Sequence, residues 1–563
     1  MFAKFVARKN PSEAVFSKLD RKIMQTRFSK VLGKTKSNTK LVKQVRIYDT
    51  TLRDGSQGID VNFSIEDKLK VARKLDEFGV HYIEGGWPNP TNPPEIRLFK
   101  LLRDLKMKSK IVAFGMTRKP NVKAEQDENL KALLDTEADC ITIVGKSWDL
   151  HVDKVIETTP QKNLEMIFDS VSYLTEHGYH VIFDAEHFYD GFKSNRRYAV
   201  KTALAAAEAG AKEIVLCDTR GGSMPNEIYE VTRVMKRAVR KPLGVHAHND
   251  RGLATVNSIY AVMAGAEQVQ CTVNGIGERC GNANLIEVVG NLEFSMGIHT
   301  GLELSKLTQL SDYVYEISNL TGDNYDPFVG KYAFTHKAGV HGHAVIKFPE
   351  AYEHVDPGLL GNRRDIALSS QSGLANILLK AKEFGFNLDK NSPKAVEIMR
   401  RIKDMEAAGY HLENANATLN LIYARAFGVN LNYFSLVNWK ASVMGKDGGS
   451  ASESTVEVAV GERRTVTSAE GNGPVNAFDL AFRRALETWY PELSRVKLVG
   501  YRVREIGVER GTASMVRVFI EFEGNGMRWS TVGVSTNILK ASEEALLDGY
   551  IYYLHKIGKE SLP

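Results

Sequence analysis

Short apolar runs recur along the chain between residues 45 and 275. Each run has the length of a β-strand and is rich in β-branched residues, and helical patterns such as SIEDKLKVARKLDEFG and RRYAVKTALAAAEAG stand between most of them. A strand-and-helix repeat that reaches eight units predicts a (β/α)8 barrel, a closed α/β fold. The predicted strands begin at residues 45, 82, 111, 140, 180, 213, 243 and 268.

Two further regions follow the predicted catalytic barrel, which we assign to residues 44–315. Residues 316–430 have mostly helical periodicity, interrupted by one polar segment that is rich in histidine, and we expect helical linker subdomains there. Residues 431–563 alternate in the manner of strands and contain two similar strand–turn–strand–helix units. They predict a duplicated α+β domain of a regulatory or dimerisation type, with the Gly/Ser-rich stretch GKDGGSASES as a linker.

The positive charge of the chain is concentrated at its N-terminal end. The formal net charge is +6, but residues 1–43 contain 12 Lys and Arg against two acidic residues, so they carry +10 and the other 520 residues carry −4. A basic leader with interspersed apolar residues is typical of an organelle-targeting presequence. We expect the mitochondrial matrix, with plastid and cytoplasm as alternative destinations and a solvated tail as the structural alternative.

Composition also excludes two classes of partner. The body of the protein is not basic, which argues against a nucleic-acid partner. The chain has no apolar run of eighteen residues, so we expect no membrane partner. Small molecules and a second protein chain remain as possible partners.

Polar residues cluster where several predicted strands end, in DTTLRDG, DAEHFYDG, CDTRGG, HAHND and NGIGERCGNANL. Barrels of this type carry their chemistry at the carboxyl ends of the strands. His246 and His248 are two positions apart on a strand, so both imidazoles point to one place. There they can meet other O and N ligands in a mixed site for a divalent cation, with Arg53 and Glu186 at the rim. The predicted ligands are Asp54, His246, His248 and Asn282.

The same residues have a structural interpretation. A buried ion pair between Arg53 and Asp54 would close the first loop of the barrel, and a histidine pair on a strand is often hydrogen-bonded filling. That interpretation leaves the convergence of His246 and His248 at a strand end unexplained.

The motifs DTTLRDGSQ, HAHND and GERCGNANL resemble those of the metal-dependent acyltransferases that condense acetyl-CoA with 2-oxo acids: the 2-isopropylmalate, homocitrate and citramalate synthases. The segments YIEGGWPNP, VGKSWDLHV, DAEHFYDGFK, VHGHAV and AEGNGPVNA are most similar to the citramalate synthase branch, which implies pyruvate as the acceptor and a threonine-independent route to isoleucine. The resemblance runs from about residue 44 to residue 555. Only the leader lies outside it.

The resemblance implies a role for each residue of the predicted metal site. Asp54, His246 and His248 become direct ligands of a divalent metal (Mg, Mn, Zn or Co), and Asn282 completes the protein shell. Arg53 faces the ketone oxygen of the 2-oxo acid, where a Claisen-type addition builds negative charge. The substrate carboxylate is expected to bind Thr219.

The resemblance also implies a homodimer in which each active site uses two chains. Glu186 would work with His341 and Tyr352 of the partner, and His341 would be the base that removes a proton from the acetyl-CoA methyl group. His336 and His343 are alternatives to His341. A His-rich surface loop without catalytic duty is the other interpretation of this segment.

Similar synthases are feedback-inhibited through a C-terminal domain, which here implies isoleucine as the effector. The helix that follows GNGP offers backbone amides to a small anion. A simple turn in a dimerisation domain is the alternative. The candidate effector residues are Gly471, Gly473, Pro474 and Ala477.

Other activities remain open in the sequence. A different acceptor would give a 2-isopropylmalate or homocitrate synthase, and Asp184 stands where several relatives carry Tyr, so no borrowed rule decides the acceptor pocket. A lyase that splits 3-hydroxy-3-methylglutaryl-CoA shares the first loop, although such chains end near the end of the barrel. A non-catalytic amino-acid sensor would not need Arg53, Asp54 and Glu186.

Overall fold

The computed structural model describes residues 42–562, except 338–340, 342–343, 346, 369–372, 447–448 and 507–512. The predicted targeting leader therefore lies outside the described residues. The chain divides into two compact units, Met1–Gly322 and Asp323–Pro563, and each is described by itself. No helix in the described part of the chain combines the length and apolar character that crossing a membrane requires.

The first unit is a closed barrel of parallel strands in sequence order, with the first strand hydrogen-bonded to the eighth. The predicted (β/α)8 fold is therefore confirmed, and the predicted strands agree with the observed ones to within a residue or two at their starts. The strands are β1 (Arg46–Asp49), β2 (Tyr82–Gly86), β3 (Lys110–Met116), β4 (Cys140–Lys146), β5 (His180–Glu186), β6 (Glu213–Asp218), β7 (Leu243–Ala247) and β8 (Gln268–Cys271).

Helices cover the outside of the barrel and begin and end at residues suited to those positions. Ser64 and Asp67 form a reciprocal capping box at the start of the first helix, and Gly79 ends it in the left-handed region at φ 94°. The α-helices are α1 (Ile65–Phe78), α2 (Pro93–Asp104), α3 (Glu128–Leu134), α4 (Asp149–Lys154), α5 (Pro160–Glu176), α6 (Phe188–Ser194), α7 (Arg196–Glu208), α8 (Pro225–Val239), α9 (Ala254–Met263), α10 (Leu285–Gly290) and α11 (Leu307–Ile317).

The interior of the barrel near the amino ends of the strands is a polar network around Glu213. This buried carboxylate accepts hydrogen bonds from Arg46 at 2.6 Å, Tyr82 at 2.9 Å and Gln268 at 2.9 Å. Each donor satisfies a group that would otherwise be costly to bury. This network closes the end of the barrel opposite the predicted site.

The second unit begins with a short parallel strand pair and continues with helices and two antiparallel sheets. Each sheet has three strands and is followed by a helix that packs on it. Its elements are β9 (Thr335–His336), β10 (Asp365–Ile366), α12 (Leu374–Glu383), α13 (Pro393–Ala407), α14 (Asn416–Ala426), β11 (Ser435–Lys446), β12 (Gly449–Val460), β13 (Arg463–Gly471), α15 (Pro474–Glu487), β14 (Lys497–Ile506), β15 (Met515–Gly524), β16 (Met527–Ser535) and α16 (Ile538–Lys556).

The duplicated α+β architecture follows the prediction, with three strands in each half instead of two. The predicted linker GKDGGSASES is wrong for its described residues, because residues 445–446 end β11 and residues 449–454 begin β12, and the two strands pair antiparallel. Its composition concealed a period of two, since Ser452 and Ser454 are buried and Glu453 between them is exposed. Ser454 also donates a hydrogen bond to the Lys440 carbonyl at 3.0 Å, which satisfies its hydroxyl.

Two hydrophobic core clusters of the second unit each contain residues from both sides of position 430. Ala417, Leu421 and Ala424 of α14 pack with residues of both sheets, and Ile422 packs in a second cluster with Val532 of β16. A truncation at residue 430 would therefore expose one face of α14. Single substitutions are the better way to test the C-terminal region.

Candidate metal centre and active site

Two loops and one strand end bring the predicted ligands together at the carboxyl end of the barrel. Asp54 lies in the loop after β1, directly before a short turn, and His246 is in β7. His248 follows β7 and pairs with Asn282 through a single antiparallel β-bridge. Backbone pairing therefore fixes the positions of these two side chains relative to each other.

Asp54, His246 and His248 form a compact cluster of possible metal ligands. One ligand atom from each lies within 4.8 Å of the others, and all three residues are buried. The Asp54 carboxylate is 3.3 Å from His246 Nε2 and 4.0 Å from His248 Nε2, and the two ring nitrogens are 3.2 Å apart. One carboxylate oxygen and two imidazole nitrogens that face each other suit a divalent transition metal.

The hydrogen bonding around the cluster also fits a cation. Asn282 donates its side-chain amide to the Ile276 carbonyl at 3.3 Å, while its Oδ1 is buried without a hydrogen-bond partner among the described residues. A buried carbonyl oxygen without a partner is costly unless a ligand uses it. The four predicted residues therefore offer a donor set that a divalent metal can use.

Charge and burial set the protonation of the cluster. Although burial favours the neutral acid, the Arg53 guanidinium and the two imidazoles hold the pKa of Asp54 well below its usual range. Burial and the neighbouring His246 lower the pKa of His248 to about 3. Burial opposes the protonation of His246 as well, but the hydrogen bond and charge of Asp54 raise its pKa. An ionised Asp54 and a neutral His248 are the forms that bind metals.

Arg53 is held beside the cluster by a partner that the sequence analysis did not identify. Its Nε donates to the buried carboxylate of Glu84 at 2.6 Å, whereas its closest contact with Asp54 is 3.5 Å. The guanidinium also lies 4.0 Å from the ring centre of Phe114. Burial works against the charge, but Glu84 and Asp54 raise the pKa of Arg53, so it stays a cation. In the sequence, the indication of this partner was Glu84, the single acidic residue inside the apolar run YIEGG.

Glu186 and Thr219 also lie at the carboxyl end of the barrel. Glu186 is the last residue of β5 and forms an ion pair with Lys146, which is its register partner on β4. The backbone N–H of His187 donates to the Thr219 hydroxyl at 2.9 Å, and Arg279 donates to the Thr219 carbonyl at 2.8 Å. Lys146 is a second neighbour that the sequence analysis did not select.

His341 and Tyr352 lie in the second unit and contact each other. Their ring centres are 4.4 Å apart, and both side chains are exposed. His336 is engaged elsewhere, because it is 3.1 Å from the Glu353 carboxylate that also binds Arg364. His343 lies outside the described residues. The ring centre of His336 is 6.5 Å from that of Tyr352, so among the described histidines predicted for this role His341 is the one closer to Tyr352 and exposed.

The candidate effector residues surround the start of α15. Gly471 ends β13, Gly473 precedes the helix, Pro474 is its first residue, and Ala477 is fully buried. A Cβ at Gly471 would lie 2.5 Å from the Ala477 backbone nitrogen, whereas a Cβ at Gly473 would meet nothing within 4 Å. Gly471 thus allows close packing of strand and helix, and Gly473 leaves the helix start open.

Three family models match successive parts of the chain. The HMGL-like model matches residues 44–314, and the homocitrate synthase post-HMGL domain-like model matches residues 328–409. The LeuA allosteric (dimerisation) domain model matches residues 413–554. Together the three matches extend from residue 44 to residue 554 with short gaps between them.

Relatives with known names align over nearly the whole chain. The (R)-citramalate synthase of Geobacter sulfurreducens is 47% identical over 517 residues, which cover 91% of this chain and 98% of the relative. The (R)-citramalate synthase of Aquifex aeolicus is 45% identical and covers 93% of this chain and 100% of the relative. The 2-isopropylmalate synthase of Methanocaldococcus jannaschii is 31% identical and covers 94% of this chain and 99% of the relative. The chain therefore belongs to the family of 2-isopropylmalate, homocitrate and (R)-citramalate synthases, which are acyl-CoA condensing transferases.

Proposed function

We propose that this protein is an (R)-citramalate synthase that joins the methyl carbon of acetyl-CoA to the ketone carbon of pyruvate and hydrolyses the thioester. The products are (R)-citramalate and CoA, and the reaction begins a threonine-independent route to isoleucine. The observation that carries the proposal is the buried cluster of Asp54, His246 and His248 beside the Arg53 guanidinium. Five relatives named (R)-citramalate synthase are 42–47% identical over at least 90% of the chain.

Charge stabilisation is the first task of the site. A divalent metal such as Mg, Mn, Zn or Co, held by Asp54, His246, His248 and Asn282, would polarise the ketone of the 2-oxo acid. Arg53 supplies a fixed positive charge for the same oxygen. Because Glu84 and Phe114 hold the guanidinium in place, it needs little reorganisation as negative charge develops.

Proton transfer is the second task, and we assign it to residues from both units. His341 takes a proton from the methyl group of acetyl-CoA, supported by Tyr352 and by Glu186 of the partner chain. The methyl group is a weak acid, so a positioned base is needed. Thr219 binds the substrate carboxylate. This arrangement requires a homodimer, to which the match with a dimerisation domain gives support.

Substrate comparison tests the proposed activity. The protein without residues 1–43 is incubated with acetyl-CoA, Mn²⁺ and pyruvate, 2-oxoisovalerate or 2-oxoglutarate, and thiol release is measured with product mass. Thiol release with pyruvate and a citramalate mass is the expected result. Preference for 2-oxoisovalerate or 2-oxoglutarate would make it a 2-isopropylmalate or homocitrate synthase. If no acid releases thiol and 3-hydroxy-3-methylglutaryl-CoA is cleaved, the lyase interpretation is correct; no turnover with any substrate favours the sensor.

Regulation and destination complete the proposal. Isoleucine binds at the start of α15, near Gly471, Gly473, Pro474 and Ala477, and lowers turnover.

The basic leader directs the chain to the mitochondrial matrix. The bacterial and archaeal relatives give no support to this destination. Attachment of residues 1–43 to a fluorescent protein tests the destination, and a diffuse cytoplasmic signal would contradict it.

A further inference from the structure

Strand β8 contributes two buried glutamines to the barrel interior. Gln268 and Gln270 are two positions apart, so both side chains point inward, and neither exposes more than 1% of its surface. Gln268 donates to Glu213 in the network near the amino ends of the strands. Gln270 instead lies directly behind the predicted metal ligand His246, with its Oε1 2.9 Å from His246 Nδ1.

The other end of the Gln270 side chain is fixed by Asp184. Gln270 Nε2 donates to the Asp184 carboxylate at 3.0 Å. An ionised carboxylate only accepts hydrogen bonds, so the Asp184 carboxylate pairs with the Nε2 donor of the amide and not with its carbonyl oxygen. The amide nitrogen of Gln270 must therefore face Asp184, and its carbonyl oxygen must face His246.

This fixed direction determines the tautomer of His246. A carbonyl oxygen at Nδ1 requires a proton on Nδ1, which leaves the lone pair of the neutral ring on Nε2. Nε2 is the atom that lies 3.3 Å from Asp54 in the ligand cluster. The chain Asp184–Gln270–His246 therefore presents the metal-binding nitrogen in the form that a cation needs.

Within the part of the chain that the structure describes, no side chain supports His248 in this way. Its Nδ1 is buried without a hydrogen-bond partner among the described residues, and the β-bridge to Asn282 positions its backbone. The two histidines of the site are thus positioned differently, one through side chains and the other through the backbone. Loss of Gln270 should affect His246 alone.

We propose that Gln270 and Asp184 are positioning residues of the metal site, which hold His246 in the tautomer and orientation for metal binding. The inference rests on the proposed metal site. Removal of the groups that orient metal ligands typically weakens metal binding about 10–100-fold. A similar loss is expected when Gln270 can no longer accept from Nδ1, while the fold is retained.

The test compares two substitutions of equal size on the same strand. Gln270→Met removes the contact with His246, and Gln268→Met removes a buried hydrogen bond to Glu213 without touching the metal site. Mn²⁺ affinity of the full chain is measured at pH 8, without substrates, by electron paramagnetic resonance of free Mn²⁺. We expect weaker binding by about 10–100-fold in Gln270→Met and less than threefold change in Gln268→Met.

A second variant covers the case in which Gln270→Met fails to fold. Asp184→Asn keeps the shape of the side chain but lets the amide of Gln270 turn, so a loss of several-fold in Mn²⁺ affinity is expected. Wild-type affinity in Gln270→Met or Asp184→Asn, or an equal loss in Gln268→Met, overturns the inference. Failure of the wild-type chain to bind Mn²⁺ would instead overturn the metal site in the proposed function.

Discussion

The cluster of candidate metal ligands in the first unit and the His341–Tyr352 pair in the second unit differ in how completely the fold prepares them. Asp54, His246 and His248 are buried, close together and surrounded by groups that fix their protonation. His341 and Tyr352 are exposed, and their ring centres are 4.4 Å apart. The first region is a buried cluster of possible metal ligands, whereas the second is an exposed pair whose proposed role requires a second chain.

This difference matches the two tasks of the proposed reaction. Charge stabilisation works best with fixed groups in a buried site, because they need not reorganise when charge appears. Proton transfer to a base on an exposed segment can be coupled to dimer formation, so that turnover occurs only when the second chain completes the site. The comparison therefore predicts that substitutions in the two regions lower turnover by different amounts. It also predicts that a second chain can restore turnover when the two regions are damaged in different chains.

The largest effect is expected at the buried cluster. His248→Ala should remove Mn²⁺ binding and lower kcat by about 10³-fold or more, because the stabilisation from the metal is lost. The fold should remain, since within the described part of the chain the His248 side chain is hydrogen-bonded only to the cluster. His180→Ala, at the amino end of β5, is the matched control and should keep metal binding. Undiminished turnover in His248→Ala would remove the metal assignment.

A smaller effect separates the guanidinium from the metal. Arg53→Lys keeps a positive charge but loses the planar group that Glu84 and Phe114 hold, so kcat should fall about 10²-fold with Mn²⁺ affinity nearly unchanged. Arg118→Lys, which disturbs a buried arginine paired with Asp169, should lower stability without this loss of kcat. Equal losses in both variants would mean that Arg53 is merely structural.

Mixed dimers sharpen the comparison between the two regions. Arg53→Ala and His341→Ala chains are each expected to be inactive, but together they should recover about a quarter of wild-type turnover, because half of the dimers are mixed and contain one intact site. Chains that carry both substitutions serve as the control. No recovery in the mixture would mean that His341 acts within its own chain or not at all.

The smallest effect is expected at the proposed effector site. Gly473→Ala places a methyl group at the open start of α15, so isoleucine should inhibit several-fold more weakly with basal kcat unchanged. Gly445→Ala on β11 is the control, because a Cβ there also meets nothing within 4 Å. Wild-type inhibition of Gly473→Ala would place the effector elsewhere.

The barrel could be predicted because its strands are short, apolar and regularly spaced. Their carboxyl ends meet at one edge of the closed sheet, so polar motifs after β1 and β7 could be brought together without a structure. Positions that depend on contacts could not be predicted. Glu84 and Gln270 lie inside strands, and only the structure reveals which neighbours they bind.

Sequence patterns were least informative in irregular segments and in strands that consist of polar residues. The Gly/Ser-rich stretch before residue 455 has linker composition, but its described residues 449–454 pair with β11 and form the start of β12. Spacing could not distinguish His336 from His341, because what distinguishes them is the 3.1 Å contact between His336 Nε2 and the Glu353 carboxylate. Composition describes a segment, whereas partners decide its conformation and chemistry.

Metal titration coupled to turnover tests the central claim most directly. The metal-free chain is titrated with Mn²⁺ in the presence of acetyl-CoA and pyruvate, and CoA release is followed with citramalate identified by mass. The account predicts that turnover rises in proportion to bound Mn²⁺, saturates at about one ion per chain and is absent in Asp54→Ala. Full turnover in the metal-free chain, or an unchanged titration in Asp54→Ala, would contradict it.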